Sequence, residues 1–281
     1  MPTLEKNRYG KHRVRVLRVL RDDDGSHRAC EIEADVLLSG DLVASYLSAD
    51  NLSIVPTDTV KNTLHVLAHD HLQTCRTGFA QVIGEHFLQR YDHLTGVSVT
   101  LRERRWGRLS ISGQPHPHAF AADTNGQWFC RCDFQRGQSP QLRAGVRDHL
   151  IMKTTGSGFI GYPQCEFTTL PPTEDRILAT RLTAEWTFDP TAADFAAADE
   201  AFLKAAYEVF AERYSPSVQR TLFEVGEAFL AQVPSIAKIA LTLPNVHFLG
   251  LDLSHFGRPD QTRVFLPTDE PHGQIEAVVS R

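Results

Sequence analysis

Two stretches of this chain carry the same succession of patterns, and that duplication restricts the fold more than any single segment does. In the first, HRVRVLRVLR (residues 12–21) alternates charged and apolar positions around Val14, Val16 and Val19, the period-two signature of a half-buried strand. The turn DDDGS (22–26) follows, and HRACEIEADVLLSG resumes strand character, which predicts a hairpin. A helical pattern starts after Thr57. A second helix is expected around 78–92, where Phe79, Val82, Ile83, Phe87 and Tyr91 recur at the i, i+3/i+4 spacing. TGVSVTLRERRWGRLSIS and PHAFAAD then read as two more strands. In the second stretch, LRAGVRDHLIMKTT and DRILATRLTAEWTF read as strands and FAAADEAFLKAAYEVFAERY as a strongly amphipathic helix. A further helix runs from about Pro216 to Gln232, and SIAKIALTLPNVHFLGLDL and GQIEAVVS close the set.

Both stretches therefore have the order β-β-α-α-β-β, offset by roughly 130–140 residues, and repeats of one unit pack side by side. The expected units are 9–135 and 140–281, each a four-stranded antiparallel sheet with two helices on one face, which makes the class α+β. Such sheets have open edges that closure into a barrel removes. Homo-oligomerisation, in which subunits complete a curved sheet together, is the structural expectation.

A chain of 281 residues can hold two modest domains. Its net charge of −5 provides no basic field to recruit nucleic acid or anionic membrane. No apolar run approaches the roughly 18–20 residues that cross a bilayer. The opening MPTLEKNRYGKHRVRV is too polar for a secretory signal, and the closing VVSR lacks the Ser-Lys-Leu peroxisomal address. Cys30, Cys75, Cys130, Cys132 and Cys165, odd in number and sparse, read as reduced thiols, so a cytoplasmic location is expected.

Several residues could carry chemistry. In IVPTDTVKNT (54–63), Thr57 and Asp58 stand at a helix start, where free N–H groups and the dipole favour an anion, although capping is the commoner use of such residues. Ser215, Pro216 and Ser217 open the fourth helix similarly, with Val218 and Gln219 in its first turn. Arg176, after PPTED, could grip a planar anion through two parallel N–H bonds, or simply pair with Glu174 or Asp175. Lys11, at the start of the first strand, is an ordinary place for an outward, solvated lysine; buried beside a hydroxyl it could transfer protons. Asn245 and His247, two apart on one strand, face the same side. Zinc shared by Cys130, Cys132, His116 and His118 is disfavoured, because zinc sites space their cysteines more widely. His69 and His71 suit the end of the first long helix through its dipole. No Walker loop and no Gly-x-Ser-x-Gly elbow is present; TTGSGF matches neither.

Taken together, YGKHRVRV, PTDTVKNT, GFIGYPQCEFTTLPPTEDRILAT, SPSVQRTLFEV and LPNVHFLGLDLS resemble the urate oxidase (uricase) family, in order from residue 9 to about 255. The resemblance implies the tunnelling fold, two ββααββ units per chain, and a homotetramer with active sites shared between subunits. It also implies oxidation of urate by O2 and water to 5-hydroxyisourate and hydrogen peroxide, with neither metal nor organic cofactor. Residue by residue it implies that Lys11 and Thr57 form a proton-transfer dyad that His247 extends, and that Asp58 helps hold the substrate. Phe159 would stack on the purine, Leu170 wall it, and Arg176 clamp the anion. Val218 and Gln219 would read the opposite edge, and Asn245 would sit at the oxygen position. GYPQCEF, with Pro163 and Cys165, departs from a more charged family stretch but touches no clamp residue; HPHAFAAD and QTCRTGF also diverge. Two rivals remain in view: a tunnelling-fold enzyme acting on pterins, which would anchor its heterocycle with a buried Glu, and a purine carrier that binds urate without forming peroxide.

Overall fold

A computed structural model of the chain describes residues 3–73, 75–190, 192, 195–268 and 270–281. Two compact units divide it: Met1–Gly145 with Trp186–Ala197, and Val146–Glu185 with Ala198–Arg281.

In the first unit, β1 (Tyr9–Arg21), β2 (His27–Gly40), a short α1 (Val43–Ser48), α2 (Thr57–His71), α3 (Arg76–Arg90), β3 (Leu94–Arg104), β4 (Trp106–Ile111), β5 (Gln114–Ala122) and β6 (Gln127–Gln135) follow in order. The sheet runs β1-β2-β3-β6, antiparallel throughout, while β4 and β5 form a separate two-stranded sheet. The core lies between the main sheet and α2 and α3. Ile32, Ala34, Val36 and Leu38 alternate inward on β2, Val97, Val99 and Leu101 on β3, and Cys130, Cys132 and Phe134 on β6. The helices answer with Val60, Leu64, Leu67 and Ala68 from α2 and Phe79, Ala80, Ile83 and Phe87 from α3.

The second unit holds β7 (Gln141–Lys153), β8 (Leu178–Phe188), α4 (Ala198–Glu212), α5 (Val218–Gln232), β9 (Ile236–Thr242), β10 (Asn245–Gly250), β11 (Phe265–Thr268) and β12 (Glu276–Ser280), though β7 and β8 each include residues of both units. β8 neighbours β7, β9 and β10; β10 also pairs with β11, and β9 with β12. Phe202 of α4 meets Phe229 of α5 edge-on at 5.5 Å, at the centre of the helix pair. Among the described residues no helix is long and apolar enough to cross a membrane.

Three expectations change. PHAFAAD lies in β5, outside the main sheet, and the fourth sheet strand is QWFCRCDFQ, whose cysteines had suggested a metal instead. The long strand expected from SIAKIALTLPNVHFLGLDL breaks at Leu243–Pro244, because proline cannot donate to a ladder. Its second half turns away as β10 to pair with β8, which brings Asn245 opposite Thr180. The fourth long helix starts at Val218, capped by Ser217, so Pro216 precedes the cap.

The duplication extends to small devices. Cys75 caps α3 through Sγ, 3.4 Å from the Gly78 amide, and Ser217 caps α5 through Oγ, 3.2 Å from the Arg220 amide. Mid-helix, Gly84 of α3 lies against Phe134 and Gly226 of α5 against Val279: a Cβ would stand 2.4 Å and 2.7 Å from those side chains. Alanine gains about 1 kcal/mol over glycine in a helix, whereas overpacking a core costs about 1–3 kcal/mol. With the Phe134 ring only 5% exposed, the clash dominates. Gly84→Ala should therefore lower stability by roughly 1–2 kcal/mol in denaturant titration, and adding Phe134→Leu should restore part of it. A Gly84→Ala protein as stable as the parent would contradict this packing.

Candidate active site

The residues singled out from sequence fall into two groups, one in each unit. In the first unit, β1 carries Lys11, half-buried and opposite Val36 of β2. Helix α2 begins at Thr57 behind Pro56, whose extended backbone (φ −54°, ψ 137°) makes it the cap residue. Thr57 is thus the first helical residue and Pro56, which makes no side-chain cap hydrogen bond, holds the cap position, which corrects the expectation that Thr57 does. A proline fits there because its carbonyl can accept the first helical bond, from the Val60 amide at 3.1 Å. The first-turn amides and the exposed Thr57 hydroxyl are left without helical partners.

Asp58, next along, accepts from Lys61 Nζ at 2.5 Å and Asn62 Nδ2 at 3.0 Å. The Lys61 hydrogen bond and charge, with help from Asn62 and the Lys11 charge, hold its carboxyl below the ordinary carboxylate range. An anion already placed in the first turn suits the helix dipole.

In the second unit a pocket of about 340 Å³ gathers Leu170, Arg176, Asn245 and His247. Arg176 stands just before β8, where its amide donates to the Ser157 carbonyl at 2.7 Å. Burial pushes its guanidinium pKa down, and its Nε is buried with no hydrogen-bond partner among the described residues. The simpler reading, an ion pair with a neighbouring acid, does not hold. Asp175 spends its carboxylate on Thr155 Oγ1 at 2.8 Å and the Gly156 amide at 2.7 Å. Asn245 Oδ1 is likewise buried without a partner. Leaving such groups unpaired costs about 1–3 kcal/mol each, more for charged ones, which is why they mark places built for something else to fill.

Phe159 is near the pocket without lining it. Its ring centroid is 5.7 Å from the Arg176 guanidinium carbon, and one of its faces is stacked on Tyr162 at 4.8 Å and 8°. Val218 and Gln219 do not line the pocket either; they occupy the first turn of α5, Val218 buried and Gln219 exposed. A backbone ladder nevertheless ties all three segments together. Gly158 donates to the Ser215 carbonyl at 2.8 Å, Ser215 to Gly156 at 2.9 Å, and Phe159 to Thr173 at 2.7 Å. Ser157 and Ser215 are buried, and Ser215 Oγ is 2.6 Å from Thr221 Oγ1. Sequence reading missed this ladder and Tyr162, and offered Asp175 only as an ion-pair partner for Arg176. The only signals were small residues in TTGSGF and SPS, which suggest close backbone approach.

Cys130 and Cys132 are buried on β6, whereas His116 and His118 pair edge-on at 4.6 Å on β5 of the other sheet. Among the described residues no three His, Cys, Asp or Glu side chains come close enough to hold a metal ion. His69 and His71 sit in the last turn of α2, His69 against Asp70 at 2.6 Å.

The family model described as Uricase matches residues 7–132 and 142–276. A uricase of Dictyostelium discoideum is 38% identical over 283 residues, covering 100% of this chain and 98% of that protein. A uricase of Oryctolagus cuniculus is 37% identical over 279 residues, covering 97% and 93%. The crystal structure of a uricase from Arthrobacter globiformis superposes with a TM-score of 0.91 at 33% identity, covering 100% of this chain and 96% of that one.

The Asp58 cluster yields a direct test. Lys61→Met should raise the Asp58 carboxyl pKa toward the ordinary carboxylate value, followed by carbon-detected NMR titration. The depressed pKa contributes stability present above the unfolded-state value and lost as pH falls through the folded one, so Lys61→Met should shrink that acid-side loss. An unmoved Asp58 titration would show that Lys61 does not hold it.

Proposed function

The chain belongs to the uricase family, and on that premise we propose that its two groups of side chains divide urate oxidation between binding and proton transfer. The overall reaction balances as urate, O2 and water giving 5-hydroxyisourate and hydrogen peroxide. The observation that carries the site assignment is the half-buried guanidinium of Arg176, its Nε without a hydrogen-bond partner among the described residues, in a pocket shared with Asn245, His247 and Leu170. A guanidinium presents parallel N–H donors that match a planar anion, and urate is an anion near neutral pH.

In this reading Arg176 and Gln219 clamp the purine, with Val218 at the same edge and Leu170 as an apolar wall. Phe159 stacks through the face that Tyr162 leaves free. Lys11 and Thr57 form a proton-transfer dyad, and Asp58 orients the substrate. Asn245 holds the oxygen or water over the ring, and His247 carries the proton onward. An electron-rich purine anion can reduce O2 directly, so the protein's part is orientation, deprotonation and exclusion of side reactions.

A pterin-type anchor has less support. The one buried Glu among the described residues, Glu224, is bound by Arg220 at 2.6 Å and Arg213 at 3.7 Å. We take 9–135 and 140–281 as the two repeats, a homotetramer as the working assembly, and the cytoplasm as its place, on the strength of cysteines that are odd in number and sparse. β1 pairs only with β2 among the described residues, so its second edge is open to a neighbouring copy.

Arg176→Ala should raise the urate KM by about 30- to 1000-fold, the equivalent of about 2–4 kcal/mol for a desolvated charge-assisted pair. Thr57→Ala should lower kcat with little loss of stability, since no cap is removed. Both are read from the fall in urate absorbance together with O2 uptake and peroxide formation. Thr57→Ala with a native kcat would remove Thr57 from the chemistry.

Shared sites make a separate prediction. Assayed at urate well below the raised KM, where Lys11→Ala and Arg176→Ala chains each have little activity alone, mixing them by refolding should regain roughly a quarter of the sites, if an unbiased interface combines the two units of different chains. Mixed oligomers verified by mass that stay inactive would place each site within one chain.

A further inference from the structure

Lys11 stands on a face of β1 that regular strand geometry would deny it. Directly opposed residues in an antiparallel pair point to the same side of the sheet, and side chains alternate along each strand. Ala34 and Val36 of β2 both point to the helix-covered face, each 0% exposed. Val14 opposes Ala34 and Lys11 opposes Val36, so both point there, although they are three residues apart. Alternation would put residues three apart on opposite faces. The discrepancy is absorbed at His12 and Arg13, two residues facing Asp35 alone, in a β-bulge where Arg13 has φ 57°. With Val14 kept against Ala34 and no bulge, Lys11 would fall opposite Leu37, on the face where Arg13 and Arg15 meet Glu33.

One side chain holds the bulge. Asp35, 8% exposed, accepts the Arg13 amide on Oδ1 at 2.8 Å. Its Oδ2 is fixed by Arg102 Nη1 at 2.8 Å, and His12 Nδ1 lies 3.5 Å from Oδ1. Immediately before Lys11, Gly10 lets the strands approach closely; a Cβ there would stand 1.9 Å from the Val36 carbonyl oxygen. On the helix-covered face, the Lys11 charge reaches Asp58 at the start of α2.

The second unit carries the same device. Along β7, Val146 and His149 are buried and Arg147 and Asp148 between them exposed. Asp148 has φ 55°, and its amide is 3.4 Å from Thr183 Oγ1. The bulge thus belongs to the repeat, and only the first copy places a lysine on it.

We propose that Asp35 is a positioning residue for the reaction: by accepting the Arg13 amide it keeps the bulge that turns Lys11 toward Thr57 and Asp58. This rests on the proton-transfer role given to Lys11 above.

Asp35→Asn keeps an oxygen for the Arg13 amide; Asp35→Ala removes it. Asp35→Ala should lower kcat at least tenfold with the urate KM within threefold of the parent, and Asp35→Asn should stay within threefold in both. A crystal structure of Asp35→Ala should show Lys11 opposite Leu37. A folded Asp35→Ala enzyme with native kcat overturns the proposal, and so does an Asp35→Asn enzyme as impaired as Asp35→Ala. Should Asp35→Ala fail to fold, deleting His12 in that background decides. The bulge-free strand then keeps Lys11 opposite Val36 without Asp35, and folding with kcat within tenfold of the parent is expected. Its failure to fold or to turn over overturns the proposal. Lys11→Ala separates the two layers. If Lys11→Ala keeps native kcat, the role of Lys11 falls; if it is inactive while Asp35→Ala is fully active, only the role of Asp35 falls.

Discussion

Covering one face of a sheet with two helices commits every strand beneath them to alternate, and β2 obeys this along its length. Ile32, Ala34, Val36 and Leu38 are buried, while Glu31, Glu33 and Asp35 point the other way toward Arg13, Arg15, Arg102 and Arg104. The two sides differ in energetic weight. Burying a large apolar side chain contributes about 1.5–3 kcal/mol, whereas an exposed ion pair contributes about 0–1 kcal/mol. The apolar side therefore sets which way each strand faces, and the charges comply. A polar residue needed on the helix side has to be brought there by breaking the alternation, as happens just after Lys11.

Arg176 illustrates the opposite economy of charge. The acid next to it in sequence, Asp175, is turned away to fasten Thr155 and Gly156. Buried Ser157 and Ser215 belong to a backbone ladder that fixes the surrounding loops without using the guanidinium. Fully paired groups thus hold the frame, and the unpaired Arg176 Nε and Asn245 Oδ1 are left in the pocket they line. This separation lets a site be rigid and still keep hydrogen-bonding capacity for a ligand.

The repeats share structural devices and differ in what those devices carry. Both have a side-chain cap on the second long helix, a glycine where that helix meets the last strand, and a bulge in the first strand. At the bulge one copy presents Lys11 and the other Val146. Packing requirements are the same in both units, so the devices persist; a reactive group at that place is needed in only one.

Hydrophobic periodicity made the helix pairs, the first hairpin and the α+β class legible, because burial of one face writes itself directly into residue spacing. The family motifs likewise single out Leu170, Arg176, Asn245 and His247, and the fold gathers these four around one pocket. Other features depended on tertiary partners. QWFCRCDFQ reads as a possible metal motif until neighbouring elements bury its cysteines, and PHAFAAD reads as a sheet strand but among the described residues pairs only with β4. That Pro56 rather than Thr57 caps α2 is a matter of backbone angles. The bulge was hidden for the same reason: HRVRV alternates in sequence whether or not the strand slips, and only pairing with Asp35 reveals the extra residue. Sequence by itself determined the helix pairs, the first hairpin and which residue types were on hand. Register, and with it the face on which each side chain stands, was decided by contacts between residues far apart in the chain, where a one-residue shift reverses every direction.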